Sequence, residues 1–134
     1  MDPSPQLQII ISSGPDDCRA TLGFSAAMAA IACGTLVVIY LVMDGVRWAI
    51  KSVGNEAQRP GFQPIAQMLE LIQASGGRIE VCSSCLSDDC STCADEICTA
   101  TPDQAPASQM REGIHPGGLT TVALRMSQIP TVTF

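Results

Sequence analysis

Apolar and polar positions recur with different periods along this chain, and each change of period marks an element. Leu7 to Ile11 (LQIII) is a short apolar run closed by Ser12-Ser13-Gly14-Pro15, which predicts a first buried strand. Asp16 and Asp17 in that turn are placed to cap a helix from about Cys18 to Cys33. No charge occurs from Ala20 to Met43, a stretch long enough to span a bilayer. Its texture points elsewhere. The first half, ATLGFSAAMAAIAC, is rich in helix formers, and the second, TLVVIYLVM, is β-branched and aromatic. Gly34 lies between them, where a helix-ending glycine belongs. The run therefore predicts a helix, a glycine stop and a strand from Thr35 to Val42 buried on both faces. A membrane helix is the alternative.

Past that strand, Asp44-Gly45 starts a helix whose apolar positions Val46, Ala49, Ile50 and Val53 run up to Gly54. Phe62, Ile65, Met68, Leu69 and Ile72 mark one face of the next helix. Pro64 fits its first turn, and Ser75-Gly76-Gly77 stops it. Arg78 to Cys82 (RIEVC) is the third predicted strand. Ser83 to Pro116 is polar, with part of Leu86 to Thr99 predicted helical and a loop over about 100–112. Leu119, Val122, Ala123 and Met126 repeat as an amphipathic helix, Ile129-Pro130 ends it, and Thr131 to Phe134 is a last short strand. Strands alternating with helices predict an α/β fold, a mainly parallel sheet covered on both faces. Ligand chemistry in such sheets sits at the carboxyl ends of the strands. That edge gathers Ser12 to Cys18, Met43-Asp44-Gly45 and Cys82 to Cys85.

Composition narrows the class. The chain has 134 residues, 46% hydrophobic and 15% charged, long enough for one core and too apolar for a disordered chain. A net charge of −6 argues against a nucleic-acid partner, which needs a basic patch. The acids are unevenly placed: Asp88, Asp89, Asp95, Glu96 and Asp103 fall together with no base among them. Five of the seven cysteines, Cys82, Cys85, Cys90, Cys93 and Cys98, crowd the same stretch. We read residues 1–134 as a single domain with a Cys-rich acidic insertion at about 87–116. The start, MDPSPQLQ, shows neither a basic segment nor a long apolar run, which predicts a reducing, cytoplasmic setting and no membrane attachment. Clustered cysteines there read as catalytic or metal-binding.

Cys82 ends a strand and opens a helix, where free amides and the helix dipole favour a thiolate. A thiolate there can attack a sulfane sulfur, hold it as a persulfide and pass it to another thiol. Cys85, one helical turn on, can resolve the persulfide by forming a Cys82–Cys85 disulfide. Ser12, Gly14, Cys18, Asp44, Gly45, Ser83 and Ser84 are expected to line the pocket, Cys18 as a partly buried thiol. No cofactor is required. The alternative is a metal or iron–sulfur module on Cys82, Cys85, Cys90 and Cys93, although only four residues separate the two pairs. A surface loop without chemistry is the third reading. His115 falls in a loop, Met28, Met43, Met68 and Met126 on core positions, and Trp48 in packing or an oligomer contact.

The stretches ISSGPDD, RATLGFSAAMAA, VVIYLVMDGVRWA, PGF and SGGRIEVCSSCL together resemble the DsrE/DsrF family of small sulfur-trafficking proteins, with the TusD-type sulfur relay subunits. The resemblance covers about residues 7–86 and resumes over Gly118 to Phe134. It implies a three-layer α/β/α sandwich around a five-stranded sheet, assembled into homotrimers or hexamers. It also implies a cysteine at the end of the third strand that carries sulfur as a persulfide or thiosulfonate, a role that maps onto Cys82, with Cys85 as an auxiliary thiol. The function expected is sulfur carrier or sulfurtransferase between donor and acceptor proteins or small sulfur compounds. Stoichiometric carriage and enzymatic turnover both fit. Cys90 to Pro116 is longer and richer in cysteine than the family pattern.

Overall fold

The computed structural model describes residues 5–51, 53, 59–87 and 110–134. Five strands form one parallel sheet: β1 (Gln6–Ile11), β2 (Leu36–Leu41), β3 (Arg78–Cys82), β4 (Ile114–Gly117) and β5 (Thr131–Thr133), in the order β4-β3-β2-β1-β5. The helices are α1 (Arg19–Ala32), α2 (Ile65–Ala74), α3 (Ser83–Ser87) and α4 (Leu119–Met126), with a 3-10 helix at Met43–Ala49.

Side chains alternate across the sheet, so each strand divides its residues between two layers. Ile9, Ile11, Val37, Ile39, Leu41, Ile79 and Val81 are buried on the face where Ile11 meets Gly23 of α1. α1 and α2 pack together over this face. The residues of opposite parity, Gln8 and Glu80, reach α4 instead, Gln8 through the Val122 carbonyl and Glu80 through Arg125. Helices on both faces make the three-layer sandwich that the alternation of elements predicts.

The uncharged run from Ala20 is divided at its glycine. Gly34 has φ +86°, its amide donates to the Ile31 carbonyl, and the Thr35 amide donates to the Ala30 carbonyl. That pair of bonds closes the last turn of α1 and turns the chain into β2. Among the described residues no helix is long and apolar enough to cross a membrane.

Several elements differ from the sequence expectation. The helix expected from Asp44 to Gly54 is a 3-10 helix ending at Ala49, after which Ile50 is extended and bridges Met110. The apolar spacing that suggested an α-helix, Val46 to Ala49 and Ile50 to Val53, also repeats every three residues, the 3-10 period. Pro64 caps α2 rather than occupying its first turn, and Phe62 lies outside the helix, exposed. Cys18 caps α1 without a side-chain bond and is exposed, as is Cys33. Asp17, one residue earlier, accepts from the Arg19 amide and guanidinium. Ile114–Gly117, expected within the insertion or a loop, pairs with β3 as an edge strand, and His115 is on it. The rest of that acidic segment, 88–109, lies outside the described residues. On α4 only Val122 is buried; Leu119 is 61% and Met126 57% exposed. The amphipathic face is present, and the other described residues leave Leu119 and Met126 on it uncovered.

Candidate functional site

A parallel sheet sends the ends of β1, β2 and β3 to one edge, and three segments meet there. The first is the turn after β1. The Trp48 indole N–H donates to the Ser13 carbonyl (2.8 Å), and Trp48 stacks edge-on against Phe24 with ring centroids 5.8 Å apart. This buried ring fixes the turn to the core. The second is Met43-Asp44-Gly45 after β2. A Cβ on Gly45 would stand 2.0 Å from the Ile11 carbonyl oxygen, so only glycine lets the two segments touch. Met43 has φ +55°, the left-handed region that bulky residues avoid, and is 64% exposed. That turn aims its amide at the third segment: the Met43 N–H donates to the Cys85 Sγ (3.4 Å).

The third segment is the end of β3 with α3. Cys82 is 3% exposed, on the sheet face that carries Glu80 and α4. The Cys85 N–H donates to the Cys82 Sγ (3.3 Å). Burial pushes the Cys82 thiol up. Hydrogen bonds from the Cys85 thiol, the Tyr40 hydroxyl and the amides of Cys85 and Ser84 outweigh it, so the thiol sits below its ordinary value. α3 is little more than one turn long, so individual amides rather than a long helix dipole act on the sulfur. Cys82 and Cys85 are thus a contacting thiol pair, each accepting from a backbone amide.

Of the residues expected around a pocket, Ser12, Gly14 and Asp44 line a polar cavity of about 400 Å³ together with Ser13, Asp16, Asp17, Arg19 and Arg47. Neither thiol is among its lining residues, nor are Cys18, Gly45, Ser83 or Ser84. Asp44 lines this cavity, and the amide of the adjoining Met43 donates to Cys85, so the cavity and the thiol pair adjoin along one edge. Arg19 is held by Asp17, whose carboxyl the Arg19 amide and guanidinium keep below the usual range. Ser83 and Ser84 are exposed on α3. Cys90 and Cys93, the second pair of the metal alternative, lie outside the described residues. Among the described residues no group of three or more His, Cys, Asp or Glu is placed to hold a metal ion.

Beneath Cys82 lies a network that the sequence does not single out. Glu80, 3% exposed, accepts from both Arg125 guanidinium nitrogens (2.8 and 2.7 Å) and from the Arg78 Nε (2.6 Å). Burial pushes the Glu80 carboxyl up, and the bonds from Arg125 and Arg78 outweigh it, holding it below the ordinary carboxylate value. Arg125 also reaches the Gln8 Oε1 (3.4 Å). Tyr40, fully buried on β2, donates from its hydroxyl to the Gly117 carbonyl (3.2 Å) and contacts the Cys82 thiol. Burial foremost, then the bond to Cys82, raises its phenol above the ordinary range. The one sequence signal for this group is alternation: Glu80 and Cys82 in β3 alternate with Ile79 and Val81, as Tyr40 in β2 does with Ile39 and Leu41.

No curated protein matches the chain. Among solved structures, the YchN protein from E. coli superposes with a TM-score of 0.61 at 18% identity, covering 98% of this chain and 99% of that one. A protein of unknown function from Methanobacterium thermoautotrophicum, MTH1491, superposes with a TM-score of 0.64 at 12% identity, covering 98% and 100%. At such identities these likenesses concern the fold. The DsrE/DsrF-like family model matches residues 6–128, nearly the whole chain, and the chain belongs to that family.

Proposed function

We propose that the protein is a sulfur carrier or sulfurtransferase that holds sulfane sulfur on Cys82 and passes it to a partner thiol. The observation that carries the reading is a buried strand-end thiol held below its ordinary value by two amides, a hydroxyl and a second thiol. The family is linked to sulfur relay, which agrees with it. The Cys82 thiolate attacks the outer sulfur of a persulfide donor. A new sulfur–sulfur bond forms at Cys82, the donor's sulfur–sulfur bond breaks, and the donor leaves as a thiolate that takes up a proton. An acceptor thiolate then attacks the outer sulfur, and the Cys82 thiolate is the leaving group. In a side branch the Cys85 thiolate attacks the Cys82 Sγ instead. Hydrosulfide leaves, a Cys82–Cys85 disulfide remains, and an external dithiol reduces it. The setting in this reading is the cytoplasm, where free thiols persist.

The reading includes a homo-oligomer, a trimer or a hexamer. Leu119 and Met126, on one side of α4, are exposed, as is Val132 on β5, apolar surface of the kind that marks interfaces. Met126→Glu is expected to lower the mass measured by light scattering to that of one chain; an unchanged mass removes this face from the interface.

The sulfur reading is tested by intact mass after incubation with polysulfide. The expected result is a gain of one sulfur, mapped to Cys82 and lost on treatment with a thiol reductant. Cys85→Ser is expected to keep the sulfur longer, having lost the internal resolving thiol. If Cys82→Ser takes up sulfur as fully as the parent, the proposal fails.

A further inference from the structure

We propose that the Tyr40 hydroxyl is a rotatable hydrogen-bond donor that turns from the Gly117 carbonyl to the Cys82 sulfur when that thiol ionises. The inference rests on the reading of Cys82 as the reactive thiol and assigns a second residue to the same site. It starts from placement. Tyr40 and Glu80 are register partners across β2 and β3, and Cys82 and Gly117 are register partners across β3 and β4. The phenol therefore reaches across β3 on the face that carries the sulfur, and its oxygen lies 3.2 Å from the Gly117 carbonyl oxygen while contacting the Cys82 thiol. β4 leaves room for it. A Cβ at Gly117 would stand 3.4 Å from Tyr40 Cε2 and 3.0 Å from Glu80 Oε1.

A phenol has one hydrogen and an oxygen that also accepts. With Cys82 protonated, the S–H donates to the phenol oxygen and the phenol O–H donates to the Gly117 carbonyl. With Cys82 ionised, the sulfur has no hydrogen to give and needs a donor. The phenol hydrogen turns to it by rotation about the C–O bond, with no movement of heavy atoms. The thiol proton goes to solvent, and the phenol keeps its own. Burial supports that last point, because it pushes ionisation of the phenol upward.

Other charged and titratable groups surround the same sulfur. Glu80 lies beneath it on β3, held by Arg78 and by Arg125 of α4. Cys85 contributes its thiol from α3, and His115 on β4 is the register partner of Glu80. Tyr40→Phe leaves all of these in place.

The experiment reads the pH profile of iodoacetamide labelling at Cys82, followed by peptide mass spectrometry so that the other cysteines do not contribute. Loss of a hydrogen bond to a charged group is expected to raise the midpoint in Tyr40→Phe by about one to two pH units. At a fixed pH below the midpoint, labelling slows by about tenfold per unit. Tyr40 is the chain's single tyrosine, so biosynthetic replacement of tyrosine by fluorotyrosine alters this hydroxyl alone. Fluorotyrosine is the stronger donor and is expected to lower the midpoint. It carries the test by itself if Tyr40→Phe does not fold. A hydroxyl that only fills space or ties down β4 lowers the melting temperature when removed and leaves both midpoints at the parent value, which overturns the proposal. Failure of sulfur uptake at Cys82 with shifted midpoints refutes the sulfur reading and leaves the donor role standing. Normal uptake with unmoved midpoints does the reverse.

Discussion

The two faces of the sheet are built on opposite terms. Under α1 and α2, every inward position of β1, β2 and β3 is aliphatic, and the layer closes without a polar side chain from those strands. Under α4, the same three strands present Gln8, Tyr40, Glu80 and Cys82, all buried and all polar or ionisable. β3 makes the contrast within five residues: Ile79 and Val81 face one way, Glu80 and Cys82 the other. One face holds the fold by apolar burial, and the other places charge, hydroxyl and thiol where their environment is dry and their partners fixed. A thiol on the first face would have no donors and would be raised by burial alone.

The contrast can be broken most severely from the apolar side. Ile39→Ala, at a fully buried position in the central strand, is expected to cost about 4 kcal/mol. Urea unfolding followed by the fluorescence of the single tryptophan, Trp48, measures it. An effect below that of the next variant would reverse the ranking of the faces.

On the polar side, Arg125→Met keeps an apolar stem but removes the guanidinium that bridges both Glu80 oxygens. It is expected to cost about 3 kcal/mol, because a buried carboxylate is left with Arg78 alone. The double variant Glu80→Leu with Arg125→Met should recover most of that loss, since removing both charges removes the unpaired one. A double variant as unstable as the single would show that the network does more than satisfy itself.

Acid sharpens the same point. Glu80 is held below its ordinary carboxylate value of 4.5 in the folded state, so its contribution is complete above that pH. It is lost as the pH falls through the depressed folded value. Stability of the parent is therefore expected to fall in this acidic window, and the fall should be shallower in Arg125→Met, where the depression is smaller. Unfolding midpoints measured between neutral and acidic pH test the sign.

The smallest effect belongs to the edge shared by both faces. Met43→Gly relieves a left-handed residue and is expected to stabilise by about 1 kcal/mol or less, part of the relief being offset by the greater freedom of glycine when unfolded. The amide to Cys85 is kept, so sulfur uptake should not change.

How much of this was legible in the sequence follows from range. β1, β2 and β3, with α1 and α2, are announced by local patterns: LQIII, the glycine between two textures, and RIEVC after Gly76-Gly77. Cys82 stands out because its strand end is legible. β4 does not, since IHPG has no strand pattern. It is a strand because Ile114, His115, Pro116 and Gly117 find register with β3, and an edge position tolerates the proline. The 3-10 turn at Met43–Ala49 is hidden for another reason, because its apolar spacing suits two helical periods at once.

By itself, then, the sequence determined the alternation of strands and helices, the parallel sheet and the thiol at the end of β3. These are consequences of local period and of chain connectivity. Only the tertiary structure decided what surrounds that thiol. Tyr40, Gly117 and the Met43 amide reach the two cysteines from three other segments, and Arg125 reaches Glu80 from α4. Such meetings depend on strand order and register, which are set by the packing of the whole sheet and leave no mark on any one stretch of sequence.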